Sequence, residues 1–257
     1  MDAAAAPIST AERNGVLIIT IDRPDSRNAI NRAVAEGMAA ALDRLDTDDA
    51  LACGVITGAG GTFCAGMDLK AFLAGEVPII EGRGFAGIVE RPSVKPLVAA
   101  VEGFALAGGF EVALACDLVV ASRAARFGLP EVTRGLVAAG GGLVRLAARI
   151  PLPIAMEWGL TGEFVSAERA YEVGLVNRLT EPGAALDTAV ELAGRIAGNG
   201  PLAVRASKRI MLESADWSAA ETFPRMAEIN APVRGSQDAR EGALAFKEKR
   251  PPVWQGR

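Results

Sequence analysis

The sequence of 257 residues contains no histidine. This absence excludes Ser-His-Asp and Cys-His nucleophile arrangements and every metal or haem site that needs a histidine ligand. It also removes the side chain that titrates near neutral pH without help from its surroundings. Acid–base chemistry at pH 7 would therefore depend on carboxylates, lysines, cysteines or the single tyrosine, with shifted pKa values.

Cysteine and basic charge are also scarce. Cys53, Cys64 and Cys116 are far apart and form no Cys-x-x-Cys motif, so we expect buried thiols rather than disulfides or a zinc site. Lysine and arginine total 27 against 31 acidic residues, a net charge of −4, which argues against nucleic-acid or anionic membrane partners. The start of the chain lacks a secretory signal pattern, and the charge-free run 50–67 holds five glycines. We expect a cytoplasmic protein.

Apolar runs alternate with helical or glycine-rich segments through the first two-thirds of the chain. Their continuous apolar character indicates strands buried on both faces, as in a layered α/β fold. The predicted strands are 15–21, 51–57, 96–101, 117–121 and 175–179. The predicted helices are 31–45 with Asn31 as N-cap, 110–116, 142–149, 153–160, 166–173, 184–197, 201–214, 217–226 and 237–247.

Residues 57–70, TGAGGTFCAGMDLK, form the most unusual local segment. Gly61 and Gly66 have the spacing of a phosphate-binding loop, but Met67 and Asp68 follow where that loop needs lysine and a hydroxyl residue. Phe63 likewise replaces the third glycine of a dinucleotide fingerprint. The segment could still present main-chain N–H groups to a ligand, or it could be a plain turn between a strand and a helix.

Two glutamates accompany further glycine-rich segments. Glu111 follows Gly108 and Gly109 in the first turn of a predicted helix, whose N-terminus suits a developing anion. Glu131 follows Pro130 in an apolar neighbourhood, where burial would raise its pKa toward a value useful for proton donation. Taken singly, Glu111 could be a partner of the helix dipole and Glu131 a surface carboxylate.

Taken together and in order, these segments resemble the crotonase (enoyl-CoA hydratase/isomerase) superfamily. The matching segments are IDRP, NAI, FCAGMDLK, KPLVAAVEGFALAGGFEVALACDLVVA, FGLPEVTRGL, AERAYEVGLVNRL and FKEKRPPVWQGR. The resemblance implies an α/β spiral of repeated ββα units in a single domain, 1–257. Its core would span about 1–195, and a helical extension, about 196–257, would form a homotrimer or a dimer of trimers.

The resemblance also implies a reaction. The main-chain N–H groups of Met67 and Gly108 would form an oxyanion hole for a thioester enolate. Glu111 would activate water, and Glu131 would exchange a proton with the α-carbon. Both acids are present, which favours hydration of an enoyl-CoA, a lyase reaction in fatty-acid or related acyl-CoA metabolism. Coenzyme A would be part of the substrate, and neither a separate cofactor nor a metal is implied.

Further positions match segments that contact substrate or CoA in that superfamily. They are Arg23, Arg27, Ala29, Ala65, Asp68, Leu69, Gly109, Pro130, Ala139, Phe246 and Lys249. Phe246 and Lys249 would reach the CoA nucleotide of a neighbouring subunit. Residues 71–90 would line the acyl tail.

The sequence departs from the hydratase pattern in two places, and three alternatives stay open. Ala138 and Ala139 replace a Pro-Gly pair near the expected water site, and Phe110 replaces a smaller residue. The segments GMDLKAFLAGE, GFAGIVE and GGFEVALA are similar to the carnitinyl-CoA dehydratase (crotonobetainyl-CoA hydratase) branch. An isomerase or another enolate reaction, and a non-catalytic acyl-CoA binding protein, are the remaining alternatives.

Overall fold

The computed structural model describes residues 6–257, which fold into strands and helices in alternation. The strands are β1 (Ile8–Arg13), β2 (Val16–Ile21), β3 (Cys53–Gly58), β4 (Ile79–Ile80), β5 (Gly84–Phe85), β6 (Leu97–Val101), β7 (Phe104–Leu106), β8 (Leu118–Ser122), β9 (Arg126–Gly128), β10 (Val165–Ser166) and β11 (Arg178–Thr180). The α-helices are α1 (Arg32–Thr47), α2 (Leu69–Leu73), α3 (Gly108–Ala115), α4 (Gly142–Arg149), α5 (Leu152–Thr161), α6 (Ala167–Glu172), α7 (Ala185–Ala197), α8 (Pro201–Glu213), α9 (Ala219–Arg234) and α10 (Gln237–Glu248).

The main sheet has six strands in the order β1-β2-β3-β6-β8-β11. All neighbours are parallel except β1, which pairs antiparallel with β2. Strands β2, β3, β6 and β8 are the predicted apolar runs, and their side chains are buried on both faces of the sheet. One face packs in the large apolar core with α1, and α7 covers the other. The predicted α/β fold class is confirmed.

The last strand of the main sheet differs from the prediction of 175–179. Leu175 and Val176 are buried, but their N–H groups bond to the Ala170 carbonyl at the end of α6. Strand pairing starts only at Arg178, opposite Val120. The apolar run 175–179 therefore contains residues that pack in the core before the strand starts, as well as residues that pair in the sheet.

A three-stranded sheet, in the order β10-β9-β7, positions the segments that carry Glu111 and Glu131. β7 pairs in parallel with β9, with Leu106 opposite Gly128. α3 starts directly after β7, and the 3-10 helix Pro130–Arg134 starts directly after β9. Glu111 and Glu131 therefore follow two neighbouring strands of one small sheet.

A buried lysine fixes α8 to the main sheet. The Lys208 ammonium donates to the carbonyl oxygens of Ser93 at 2.7 Å and Lys95 at 2.9 Å, and pairs with the Asp117 carboxylate at 2.7 Å. The same carboxylate accepts the N–H of Leu97 at the start of β6. The ion pair is thus surrounded by the hydrogen bonds that a buried charge requires.

The helix predicted at 217–226 differs from α9 at both ends. It begins after Ser218, which forms a capping box with Glu221, and it continues through Pro224 and Pro232 to Arg234. A proline removes one main-chain hydrogen bond and bends a helix, but neighbouring packing can maintain the helix beyond it.

The C-terminal segment after α10 folds back on the helices. The Trp254 indole donates to the Gly198 carbonyl at 2.8 Å, and the N–H groups of Gln255 and Gly256 donate to the Asp238 carboxylate. No helix within residues 6–257 is long and apolar enough to cross a membrane.

Candidate active site

The candidate site lies where three chain segments meet, after β3, after β7 and after β9. Isolated bridges join Ile30 to Met67 and Cys64 to Ala105. The glycine-rich loop 57–70 therefore runs beside both β7 and the segment that leads into α1. A Cβ added to Gly66 would lie 3.4 Å from the Gly108 nitrogen, which places the first loop against the start of α3.

The Met67 N–H group is free because of this bridge. Ile30 N–H donates to the Gly66 carbonyl at 2.8 Å, and Asp68 N–H donates to the Ile30 carbonyl at 2.9 Å. Main-chain N–H groups alternate in direction along an extended segment, so the Met67 N–H points away from Ile30. It donates to no other residue in the part of the chain that the structure describes.

The Gly108 N–H group is free because it lies in the first turn of α3. Phe110 and Glu111 donate to the Ala107 carbonyl, and Ala107 itself donates to Gly128 at 2.9 Å. Ala107 has φ +50° and ψ −129°, a conformation that is costly for an alanine and turns the chain sharply into the helix. Two unpaired main-chain donors therefore lie on adjoining segments of the chain.

Glu111 is the charged group at the centre of the site, with 4% of its surface exposed. Its Oε1 accepts the Gly142 N–H at 3.0 Å, at the N-terminus of α4. Burial raises the pKa of Glu111, while the Gly142 N–H opposes that shift and the Glu131 charge adds to it. The carboxyl therefore gives up its proton less readily than an exposed glutamate does.

Glu131 lies in the 3-10 helix after β9 and is half-buried. Its Oε2 is buried and has no hydrogen-bond partner among the described residues. Burial is the chief cause that raises its pKa. The Glu131 charge also acts on Glu111, so the structure brings together the two predicted carboxyls in different surroundings.

Five of the predicted CoA-contact residues also meet in one place. The Arg23 guanidinium donates to the Ala29 carbonyl at 2.5 Å and pairs with the Asp68 carboxylate at 2.9 Å. Ala65 N–H donates to the Arg27 carbonyl at 3.0 Å. Burial by itself would raise the Asp68 pKa, but the Ala71 N–H and Arg23 outweigh it and hold the pKa below its usual range.

The other residues predicted to contact substrate or CoA differ in how far they are exposed. Gly109 is buried against Cys64, and Pro130 is buried directly before Glu131. Leu69 begins α2 and is 58% exposed, and Ala139 is exposed just before Gly140. The predicted acyl segment contains Phe85, whose ring lies against Gly108, and several exposed apolar side chains, namely Phe72, Leu73, Val77 and Ile79.

The sequence profile described as Enoyl-CoA hydratase/isomerase matches residues 11–257. The chain belongs to this family. The resemblance of the ordered segments to the crotonase superfamily is thereby confirmed.

Similar proteins agree with the family match over nearly the whole chain. Enoyl-CoA hydratase EchA19 of Mycobacterium tuberculosis is 42% identical over 265 residues, covering 98% of each chain. The carnitinyl-CoA dehydratase of Proteus mirabilis is 42% identical over 253 residues, covering 95% of this chain and 97% of the relative. The crystal structure of enoyl-CoA hydratase EchA1 from Mycobacterium marinum has a TM-score of 0.96 at 58% identity, covering 98% and 100% of the two chains.

In this family member, Asn28 joins two loops of the candidate site, and the sequence did not single it out as a site residue. It is fully buried, and its side-chain amide donates to the carbonyls of Ala59 at 2.8 Å and Thr62 at 2.6 Å. Its side-chain oxygen accepts the Arg23 N–H. Asn28 has φ +57°, a conformation that asparagine tolerates better than most residues. The sequence indicates this role only through the position of a polar residue between Arg27 and the apolar Ile30.

Phe246 and Lys249 are not brought to the rest of the site within one chain of this enoyl-CoA hydratase/isomerase family member. Phe246 is 89% exposed on α10, and Lys249 ends that helix in a left-handed conformation with φ +54°. The Lys249 N–H donates to the Phe246 carbonyl, and among residues 6–257 neither main chain bonds to another of the predicted site residues.

Proposed function

We propose that the protein is a hydro-lyase that adds water reversibly across the 2,3 double bond of an enoyl-CoA thioester. The observation that carries the proposal is that two free main-chain donors lie in the same site as two carboxyls of raised pKa, one buried and one half-buried. Enoyl-CoA hydratases and carnitinyl-CoA dehydratases among the similar proteins support the same reaction class.

The Met67 and Gly108 N–H groups would bind the thioester oxygen. Negative charge on this oxygen is larger in the enolate than in the substrate, so fixed donors stabilise the transition state more than the ground state. One such donor is typically worth about 3 kcal/mol. Because both donors belong to the main chain, they need no reorganisation during the reaction.

The two carboxyls divide the proton transfers. The Glu111 carboxylate removes a proton from water as the water oxygen bonds to the β-carbon. The electron pair of the double bond moves toward the thioester oxygen and forms the enolate. The Glu131 carboxyl then donates its proton to the α-carbon, giving a 3-hydroxyacyl-CoA. Proton exchange with solvent restores both groups.

The CoA moiety would bind near the turn that carries Arg23, Arg27 and Ala29, next to Ala65 and Asp68. We place Phe246 and Lys249 at the site of a neighbouring subunit, which fits their exposure within one chain. This placement requires an oligomer, and the spiral of ββα repeats with a helical trimer or dimer of trimers is part of the proposal.

Carnitinyl-CoA dehydration is the second candidate, because the carnitinyl-CoA dehydratase of Proteus mirabilis is as similar to this chain as enoyl-CoA hydratase EchA19, at 42% identity each. Purified protein is to be incubated with crotonyl-CoA, longer 2-enoyl-CoAs and crotonobetainyl-CoA while the absorbance of the conjugated thioester is followed. Fastest loss with crotonobetainyl-CoA would select the second candidate.

Product analysis in deuterated solvent and a binding measurement distinguish the hydratase from the remaining alternatives. Solvent deuterium should enter at the α-carbon of a hydroxylated product, whereas a shifted double bond without hydroxylation identifies an isomerase. Binding of a CoA thioester without turnover of any enoyl chain, unaffected by Glu111→Gln and Glu131→Gln, would identify a binding protein and overturn the proposal.

A further inference from the structure

Arg145 connects two parts of the site and is not one of the predicted site residues. It lies in the first turn of α4, three residues after Gly142. Its guanidinium donates to the Gly140 carbonyl at 3.3 Å and to the Val89 carbonyl. One half-buried side chain therefore links the glycine segment before α4 with the end of the predicted acyl segment.

The segment that Arg145 holds is the segment that contacts Glu111. Gly142 donates its N–H to the Glu111 carboxylate, and a Cβ on Gly140 would lie 2.5 Å from Glu111 Oε2. Gly141, between them, has φ +86° and lies against the Arg145 guanidinium. Arg145 thus fixes the main chain two residues before Gly142, whose N–H group orients Glu111.

Arg145 also supplies positive charge to Glu111. Arginine stays protonated even when burial lowers its pKa, as it does here. Burial is the largest influence on the Glu111 pKa and raises it; the main-chain N–H groups of Gly142 and Gly140 and the Arg145 charge lower it.

The other titratable groups around Glu111 act differently. The Glu131 charge raises the Glu111 pKa, and Arg134 acts on Glu131 instead. The nearby thiols of Cys64 and Cys116 stay neutral because burial raises the pKa of each to about 12. Strand β7, which precedes α3, carries only apolar residues.

We propose that Arg145 is a positioning residue of the hydration reaction, which holds the Gly140–Gly142 segment against Glu111 and so keeps that carboxyl in the position a general base requires. The inference rests on the proposed function for its kinetic consequence. The position of the Glu111 carboxyl, and the lowering influence of the Arg145 charge on its pKa, can be followed without turnover.

The test compares Arg145→Met, Arg145→Lys and Arg149→Met. Arg149 lies one turn further along α4 and donates to the Cys116 carbonyl, so its replacement removes a half-buried guanidinium that is not among the causes of the Glu111 pKa shift. For Arg145→Met we expect kcat to fall about 10- to 100-fold with little change in KM, because the base is misplaced by a fraction of an ångström. The acid limb of the kcat/KM profile should move to higher pH, because loss of the positive charge favours protonated Glu111.

Arg145→Lys keeps the charge but cannot donate to the Gly140 and Val89 carbonyls with the geometry of a guanidinium. It should return the acid limb toward that of the parent and restore kcat only in part. A kcat for Arg145→Met within about twofold of the parent, with an unmoved acid limb, would overturn the proposal. So would an equal displacement of the acid limb in Arg149→Met.

A second measurement tests the role of Arg145 even if the protein proves not to be a hydratase. Carboxyl ¹³C titration of glutamate-labelled protein, with the Glu111 signal assigned by Glu111→Gln, reports ionisation whether or not the parent hydrates any enoyl-CoA. Arg145→Met should move the Glu111 titration to higher pH while Arg145→Lys and Arg149→Met leave it near the parent value. An unmoved Glu111 titration in folded Arg145→Met protein contradicts the inference.

Discussion

The main chain of Gly140 approaches Glu111 so closely that a Cβ on residue 140 would lie 2.5 Å from the carboxylate Oε2. Real Cβ atoms do not come this close to other heavy atoms, so the carboxylate would have to move. No positive φ is found at Gly140, which means that alanine could adopt the backbone conformation. Substitution here therefore tests the position of Glu111 and little else.

Gly140→Ala should lower kcat about 100-fold, since displacement of a base by about 1 Å has effects of that order. Binding of a CoA thioester should stay near the parent value. The matched control is Gly194→Ala in α7, where an added Cβ meets no atom within 4 Å. That variant should keep full activity and gain stability from the better helix former. Equal kcat in both variants would contradict the placement of Glu111.

Gly108→Ala should impair the oxyanion hole through Phe85. The added Cβ would lie 2.5 Å from the Phe85 ring, so either the ring or the start of α3 must shift. We expect kcat to fall by roughly 10²-fold, the scale of losing one oxyanion donor. If the clash is the cause, Phe85→Leu should restore part of the loss, and a double-mutant cycle measures the coupling. Strictly additive effects would exclude this explanation.

Glu131→Gln should stabilise the folded protein at neutral and alkaline pH. Burial raises the folded-state pKa of Glu131, so its stabilising contribution is complete below the unfolded value of about 4.3 and is lost as pH rises through the folded value. Glutamine avoids this loss. The thermal midpoint of the variant should exceed that of the parent at pH 8, and the difference should narrow toward pH 4; each kcal/mol corresponds to roughly 2–4 °C. A gap that widens on acidification reverses the sign and refutes the prediction.

Asp68→Asn should weaken substrate binding more than it slows the reaction. Asparagine retains the N-cap of α2, which Asp68 provides by accepting the N–H groups of Lys70 and Ala71. The ion pair with Arg23 is lost, and with it the fixed position of the turn around Ala29. We expect KM for the enoyl-CoA to rise about 3- to 10-fold, consistent with the roughly 1 kcal/mol of a partly exposed pair. A fall in kcat at constant KM would instead place Asp68 in the chemical step.

Lys249→Gly tests the proposed contribution of a neighbouring subunit. Lys249 has φ +54°, so glycine removes the charge without backbone strain. If the ammonium binds a CoA phosphate, KM should rise several-fold and the effect should shrink at high salt. Lys247→Ala, an exposed position on the same helix, is the control. Sedimentation as a monomer at micromolar concentration would exclude the shared site.

The sequence predicted the buried part of the fold better than its edges. Apolar runs identified β2, β3, β6 and β8 because burial on both faces leaves a continuous signal. Strand β1 was missed because five of its six residues are exposed and it has no such run. Strands β7, β9 and β10 have two or three residues each and form only because a partner strand lies beside them.

The candidate site was predictable where single residues carry the chemistry. Glu111, Glu131, Met67 and Gly108 belong to ordered segments that could be read directly from the sequence. Asn28 and Arg145 could not be assigned in this way, because each joins its own segment to carbonyl groups that lie 31 to 56 residues away along the chain. Their importance follows from which carbonyl groups the fold brings within reach.

The buried thiol of Cys64 has a consequence for a protein that would handle enoyl thioesters. Such thioesters are Michael acceptors, which alkylate thiolates far faster than thiols. Cys64 lies beside Gly66 and Gly109, close to where the conjugated bond would sit. Burial raises its pKa to about 12, so the sulfur stays protonated at neutral pH. A protonated Cys64 would react slowly with an electrophilic substrate held next to it.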